Sequence, residues 1–158
     1  MLRLVGLDSG PLGLLTHPKP SETAQACIRW LGALLVADVA VVLPSIAHYE
    51  LRREYLLRDN TVSLEKLETL REVLDISAMN DAVLDEAAQL WAKVRRGGQP
   101  TAGSKALDID CLVATQIRIF AREMGVSETE WMVATTDVGD LPRLAPAAHW
   151  PDISLSSP

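Results

Sequence analysis

Aromatic residues are scarce in this sequence, at 4% of 158 residues, so the core has to be made mostly of Leu, Val, Ile and Ala. Only two cysteines occur, Cys27 and Cys111. Each sits inside an apolar helical pattern, which suits a buried free thiol in a reducing compartment, although spacing alone leaves a disulfide open. His17, His48 and His149 show no metal-ligand spacing, and no Cys/His zinc pattern is present. Also missing are a Gly-rich phosphate loop and a Gly-x-Ser-x-Gly turn. No apolar run is long enough to cross a bilayer: Trp30 to Ala37 and Val39 to Leu43 are interrupted by Asp38 and Pro44. Met1 to Asp8 lacks the apolar segment of a secretory signal, and the expectation is a cytoplasmic protein. Basic residues fall short too, with 15 Lys and Arg against 21 Asp and Glu and a net charge of −6. Affinity for nucleic acid ordinarily rests on phosphate contacts, so this balance counts against a simple binding module. It counts less against a protein whose clustered carboxylates are neutralised by bound cations.

What is present reads as one folded domain spanning residues 1–158, with 48% hydrophobic against 23% charged residues. Leu2 to Leu7 is a short apolar strand that runs into a turn, Asp8-Ser9-Gly10-Pro11. Ser21 to Val36 has helical periodicity with Ser21 as N-cap; position 24 is Ala, so there is no capping box. Ala40 to Leu43 is a buried strand stopped by Pro44. Helices are expected over Ser45 to Arg58, with Ser45 as N-cap, and over Val62 to Glu72, then a strand over Leu74 to Ser77. Asp81 to Arg96 is helical and ends at Gly97-Gly98. A polar loop, Gln99 to Lys105, leads to a long helix, Leu107 to Met124, and a strand, Trp131 to Thr136. The Pro-rich tail from Pro142 to Pro158 has room for one last strand near Ile153. Strands alternate with helices throughout, which predicts an α/β fold with a parallel sheet between two helical layers. In such folds the site lies at the carboxyl ends of the strands.

Four acids stand out. Asp8 follows the first strand and Asp137 the strand ending at Thr136; singly, each reads as an ordinary turn residue. Glu50 lies in the stripe Ile46, Glu50, Arg53, Leu57, where it is either an i, i+3 partner of Arg53 or a carboxylate turned inward. Asp110 is the one polar member of the stripe Leu107, Asp110, Ala114, Ile117, Ala121, Met124. It either favours the helix start through the dipole or is a buried acid that needs a partner. As a set, the four converge on one edge of a doubly wound sheet, where they would repel one another without a cation. Hard oxygen donors with open water positions suit Mg²⁺ or Mn²⁺ rather than Zn²⁺. Cys111, beside Asp110, has no base partner and reads as a small buried hydrophobe. Arg52, Arg53 and Arg58 flank Glu50. Arg95 and Arg96 read either as phosphate contacts or as a solvated helix end. Trp30, Trp91, Trp131 and Trp150 are scattered and read as packing residues.

The segments Leu7 to Ser9, Ser45 to Glu54, Leu107 to Gln116 and Val133 to Leu141, in this order and spacing, resemble the PIN-domain family over nearly the whole chain. The resemblance implies a three-layer α/β/α sandwich with a central parallel sheet, and a metal-dependent ribonuclease like the VapC-type toxins of toxin–antitoxin pairs. It implies that Asp8, Glu50, Asp110 and Asp137 are the metal-binding and catalytic acids, with Ser9 and Thr135 as supporting hydroxyls, and Arg53 orients carboxylates. Asp108 lies near the third position and Asp140 near the fourth. Gly10-Pro11-Leu12-Gly13 departs from the commonest toxin pattern. The implied cofactor is Mg²⁺ or Mn²⁺. The implied partners are an RNA substrate, an antitoxin protein and a second copy in a homodimer, with the helices Ser21 to Val36 and Val62 to Glu72 as partner surfaces or ordinary core-facing helices. Two other readings remain: a non-catalytic PIN-like interaction domain, and another Mg²⁺-dependent phosphate hydrolase. A phospho-aspartyl phosphatase would carry an acid at position 10, where Gly stands, and a receiver-like domain would need paired acids and a late Lys.

Overall fold

The apolar run at the start of the chain forms β1 (Leu4–Leu7), the middle strand of a five-stranded sheet ordered β3-β2-β1-β4-β5. The computed structural model describes residues 1–98 and 103–155. Gln99 to Ala102, within the expected loop, and residues 156–158 of the expected tail lie outside the described residues. β2 (Ala40–Pro44), β3 (Asp75–Ser77), β4 (Trp131–Thr135) and β5 (Ala147–His149) each pair in parallel with their neighbours. Side chains alternate across the sheet. Val5 and Leu7 of β1 join Val41 and Leu43 of β2 on one face, while Leu4 joins Val42, Trp131 and Val133 on the other.

The first face is covered by α1 (Ser9–Leu15), α2 (Glu22–Val36) and α4 (Thr61–Val73), through Leu12, Cys27, Leu31, Leu34 and Leu67. The second is covered by α5 (Asp81–Arg96) and α6 (Ser104–Glu123), through Ala87, Leu107, Cys111, Ala114 and Ile117. α3 (Ser45–Leu57) stands between the layers, with Ala47 in the first core and Ile46 packed against the second. This is the expected three-layer α/β/α sandwich. Both cysteines are buried free thiols. Burial pushes Cys27 up to about 12 and Cys111 up to about 11, which leaves them inert as nucleophiles. Among the described residues no helix is long and apolar enough to cross a membrane.

Four local expectations need correction. Ser9 to Leu15 is a helix rather than a turn. Asp8 caps it by accepting from the Ser9 N–H at 2.8 Å, Pro11 falls in the first turn where a missing N–H costs nothing, and Leu12 and Leu15 anchor it in the core. Ser45 is not the cap of α3: Pro44 holds that position without a side-chain bond. α6 begins at Ser104, three residues before the expected Leu107. The last strand is β5, not a segment near Ile153, which is buried after a 3-10 turn over Trp150–Asp152.

The chain winds outward from β1 through β2 to β3, then crosses to the other side of β1 to form β4. The direction of winding therefore reverses between β1 and β4, and their carboxyl ends flank the crevice that such a reversal opens.

Candidate active site

Asp8 leaves β1 at this crevice. Its Oδ1 accepts the Ser9 N–H and its Oδ2 accepts the Thr135 hydroxyl at 2.8 Å. Thr135 ends β4 and is buried. Its hydroxyl also lies 2.9 Å from the Asp137 carbonyl oxygen and accepts the Asp137 N–H at 3.2 Å. The single hydroxyl proton has two acceptors, and the carboxylate is the stronger when ionised. Thr135 thus ties Asp8 to the segment after β4. Gly10 lets α1 approach that segment: a Cβ there would collide with the Thr136 side chain.

Glu50 lies in α3 and Asp110 in α6. With Asp8, Ser9, Arg53, Lys105, Ala106 and Ile109 they line one cavity of about 310 Å³. Asp110 occupies the second turn of α6, beyond the first turn in which the helix dipole acts, so helix-start placement does not account for it. Nor does Arg53 pair with Glu50. Arg53 Nε lies 4.0 Å from Glu54 Oε1, its guanidinium sits 5.6 Å from the Tyr49 ring centre, and Glu50 Oε1 is buried with no hydrogen-bond partner. The expected inward stripe of α3 holds only over its first half, since Leu57 is 78% exposed.

The electrostatics follow from this crowding. Burial raises the Asp8 carboxyl above its ordinary value; the Thr135 hydroxyl and Ser9 N–H oppose the rise, and Asp137 adds to it. Burial raises Glu50, Asp8 raises it further, and the Arg53 guanidinium opposes. Asp110 is pushed up to about 7, by burial first and then by Asp8, Asp140, Glu50 and Asp137. Asp137 is exposed and does not line the cavity, but its charge reaches both Asp8 and Asp110. Asp140 lies 3.2 Å from Arg143 while also raising Asp110. Asp108 is exposed and lines a different cavity, between α5 and α6, with Trp91 and Cys111.

Gln116 escaped the reading of the sequence as a working residue. Fully buried in α6, it accepts the Ile46 N–H at 3.1 Å and donates to Ser45 Oγ at 2.9 Å and to the Ser77 carbonyl at 2.7 Å, and its own carbonyl takes the Ser77 hydroxyl at 2.9 Å. It thus satisfies a first-turn N–H of α3, engages the Ser45 hydroxyl, and sets α3 against α6, the two helices that carry Glu50 and Asp110. Its signal was a lone amide in an apolar helix. Lys105 was missed because it was assigned to the loop.

The donor chemistry fits a hard divalent cation. Carboxylate oxygens crowd one cavity, each carboxyl is raised by burial and by its neighbours, and one buried oxygen of Glu50 is unsatisfied. The groups ring the cavity instead of closing on a point: among the described residues no three His, Cys, Asp or Glu side chains converge as a metal cluster.

No family model and no curated protein matches the chain. Solved structures do, and the matched chains are VapC (PIN-domain) chains. VapBC2 from Rickettsia felis, bound to a DNA fragment from its promoter, aligns at a TM-score of 0.66 and 15% identity, over 93% of this chain and 98% of that chain. VapBC-1 from nontypeable Haemophilus influenzae aligns at 0.60 and 16%, over 94% and 99%. DNA-bound VapBC from Salmonella typhimurium aligns at 0.58 and 17%, over 95% and 99%. The chain has the PIN fold. At this identity the likeness carries the fold alone, and with it the resemblance read from the four segments.

Proposed function

We propose that this PIN domain, residues 1–158, is a metal-dependent ribonuclease that hydrolyses RNA phosphodiester bonds with Mg²⁺ or Mn²⁺. The observation that carries the reading is the cavity between α1, α3 and α6, where burial raises Asp8, Glu50 and Asp110, Asp8 raises the other two further, and Glu50 keeps a buried, unpaired oxygen. Asp8, Glu50 and Asp110 would hold the cation directly or through waters, with Asp137 completing the set. Mg²⁺ retains several waters, so acids that ring a cavity without converging suit it. When bound, such an ion lowers the pKa of a water and screens the scissile phosphate. The chain's own residues then do the rest. Thr135 holds the Asp8 carboxylate in one orientation through Oδ2, the Ser9 N–H fixes Oδ1, and Arg53 keeps Glu50 toward its ionised form. The structural neighbours are chains of VapBC pairs, which supports a toxin role with an antitoxin partner; the homodimer rests on the family resemblance alone. The apolar hollow of about 460 Å³ between α2 and α4, lined by Ile28, Leu31, Val62 and Leu70, is a surface such a partner would cover.

Purified, folded, partner-free protein should cleave a labelled mixed RNA with Mg²⁺ or Mn²⁺. Cleavage should stop with EDTA and in Asp8→Asn and Asp110→Asn. The second reading is a non-catalytic PIN-like interaction domain, favoured by the absence of a converged metal cluster among the described residues. Absence of cleavage in every condition selects it.

A further inference from the structure

Four residues of α6 reach the acid cavity: Lys105, Ala106, Ile109 and Asp110. Their spacing explains this. Positions i and i+4 stack on one helical face, so Lys105 lies over Ile109 and Ala106 over Asp110, a patch two residues wide. The cavity wall therefore carries two cationic side chains, Arg53 from α3 and Lys105 from α6.

The two are not in the same situation. Arg53 is committed within the protein: its charge opposes the rise in Glu50, and it is held between Glu54 and the Tyr49 ring. Lys105 is exposed and makes no hydrogen bond or ion pair among the described residues. Eight of the chain's 15 Lys and Arg, all of them Arg, meet a carboxylate at 2.7–4.0 Å. In a chain of net charge −6, this ammonium stands on the wall of an acidic cavity without lowering the pKa of Asp8, Glu50 or Asp110 there. An incoming polyanion, by contrast, meets repulsion from the acids and needs a local cation to lie down beside them.

We infer that Lys105 binds a backbone phosphate of the RNA strand flanking the scissile bond, and is a substrate-binding residue of this site. The inference rests on the ribonuclease reading above. Lys105 holds the strand without taking part in bond breaking, so its loss weakens binding and leaves the chemical step intact. One contacted phosphate accounts for a slope of about 0.7 in log K against log salt for single strands.

The test combines cleavage kinetics with RNA binding measured in an Asp8→Asn background that does not cut, followed by fluorescence anisotropy across a salt series with Mg²⁺ present. The variants are Lys105→Ala, Lys105→Arg and, as a control outside the cavity, Lys93→Ala, each checked by circular dichroism. The expected result is a KM and a Kd raised about 5–20-fold in Lys105→Ala, kcat within about threefold of wild type, and a salt slope lowered by about 0.7. Lys105→Arg should recover most of the loss, and Lys93→Ala should match wild type. Wild type that cleaves RNA while Lys105→Ala keeps its KM, Kd and salt slope overturns the inference and leaves the nuclease reading standing. A loss confined to kcat also overturns it. Folded wild type that neither binds nor cleaves RNA overturns both.

Discussion

Replacing Asp110 with Asn should stabilise the metal-free protein at neutral and alkaline pH, against the usual rule that altering a buried polar residue destabilises. Folding raises the Asp110 pKa from 3.8 to about 7, because burial and four neighbouring carboxylates all disfavour its charge. The folded state therefore prefers the protonated acid. The contribution to stability is full below pH 3.8 and is lost as the pH climbs through about 7. Each pH unit between the two values is worth about 1.4 kcal/mol, which taken whole comes to about 4 kcal/mol. Asp110 is only half-buried at an open cavity, so solvent screening cuts this to about 1–2 kcal/mol. For a chain of this length that is a rise in Tm of about 3–6 °C. The assay is thermal unfolding by circular dichroism in EDTA at pH 4.5 and pH 8. Asp110→Asn should melt above wild type at pH 8, and the gap should nearly close at pH 4.5. An Asn variant that melts at or below wild type at pH 8, or a gap equal at both values, refutes the electrostatic account. Saturating Mn²⁺ should then reverse the order, since a ligand at one hundred times its Kd adds about 2.7 kcal/mol to the protein that still carries its ligands. Failure of that reversal alone would count against the metal and not against the repulsion.

Two further substitutions probe the frame around the cavity. Gln116→Ala strands the Ile46 N–H, the Ser45 hydroxyl and the Ser77 carbonyl, and should cost about 2–4 kcal/mol in urea unfolding, with a weaker coupling of α3 to α6 seen as faster amide exchange in the first turn of α3. Asp8→Asn and Asp8→Ala should separate in stability by about 1 kcal/mol while both abolish cleavage, because only Ala removes the cap of α1; equal melting temperatures would count against that cap.

How far the sequence was legible can be traced element by element. α5 was readable to the residue, since its periodic run opens at Asp81 and Gly97-Gly98 stops it. The sheet was readable in kind, from short apolar runs spaced by helical ones, but not in order: nothing in the runs themselves says that β4 crosses back to lie beside β1. α1 was hidden because two glycines and a proline in seven residues argue against a helix on propensity alone, and only the burial of Leu12 and Leu15 overrides this. β5 was placed too late because Ile153 carried the stronger apolar signal, yet that side chain is buried from a 3-10 turn, and the weaker Ala147–His149 pairs with β4. Ser45 looked like a cap because its chemistry is right for one; its hydroxyl instead receives the Gln116 amide from across the fold, a claim that no local pattern records.

The four acids were legible as positions, and what was not legible is that their roles overlap. Asp8 was singled out as a strand-end carboxylate and its neighbours as a turn, as though a residue had one task. In the fold, one oxygen of Asp8 opens α1 and the other receives Thr135, while the same side chain raises both Glu50 and Asp110. A substitution at such a residue removes a cap, an anchor and a charge together, and lost activity then says little about the charge. Asn caps a helix about as well as Asp and still accepts through one oxygen, so Asp8→Asn removes the charge and leaves the cap. The same logic sets Asp110 apart. It holds no cap and lies beyond the reach of the helix dipole, and its pKa is driven up to about 7 by burial and by other acids alone. The protein's stability gains nothing from that carboxylate's charge, which makes Asp110 the residue that the proposed cation would relieve most.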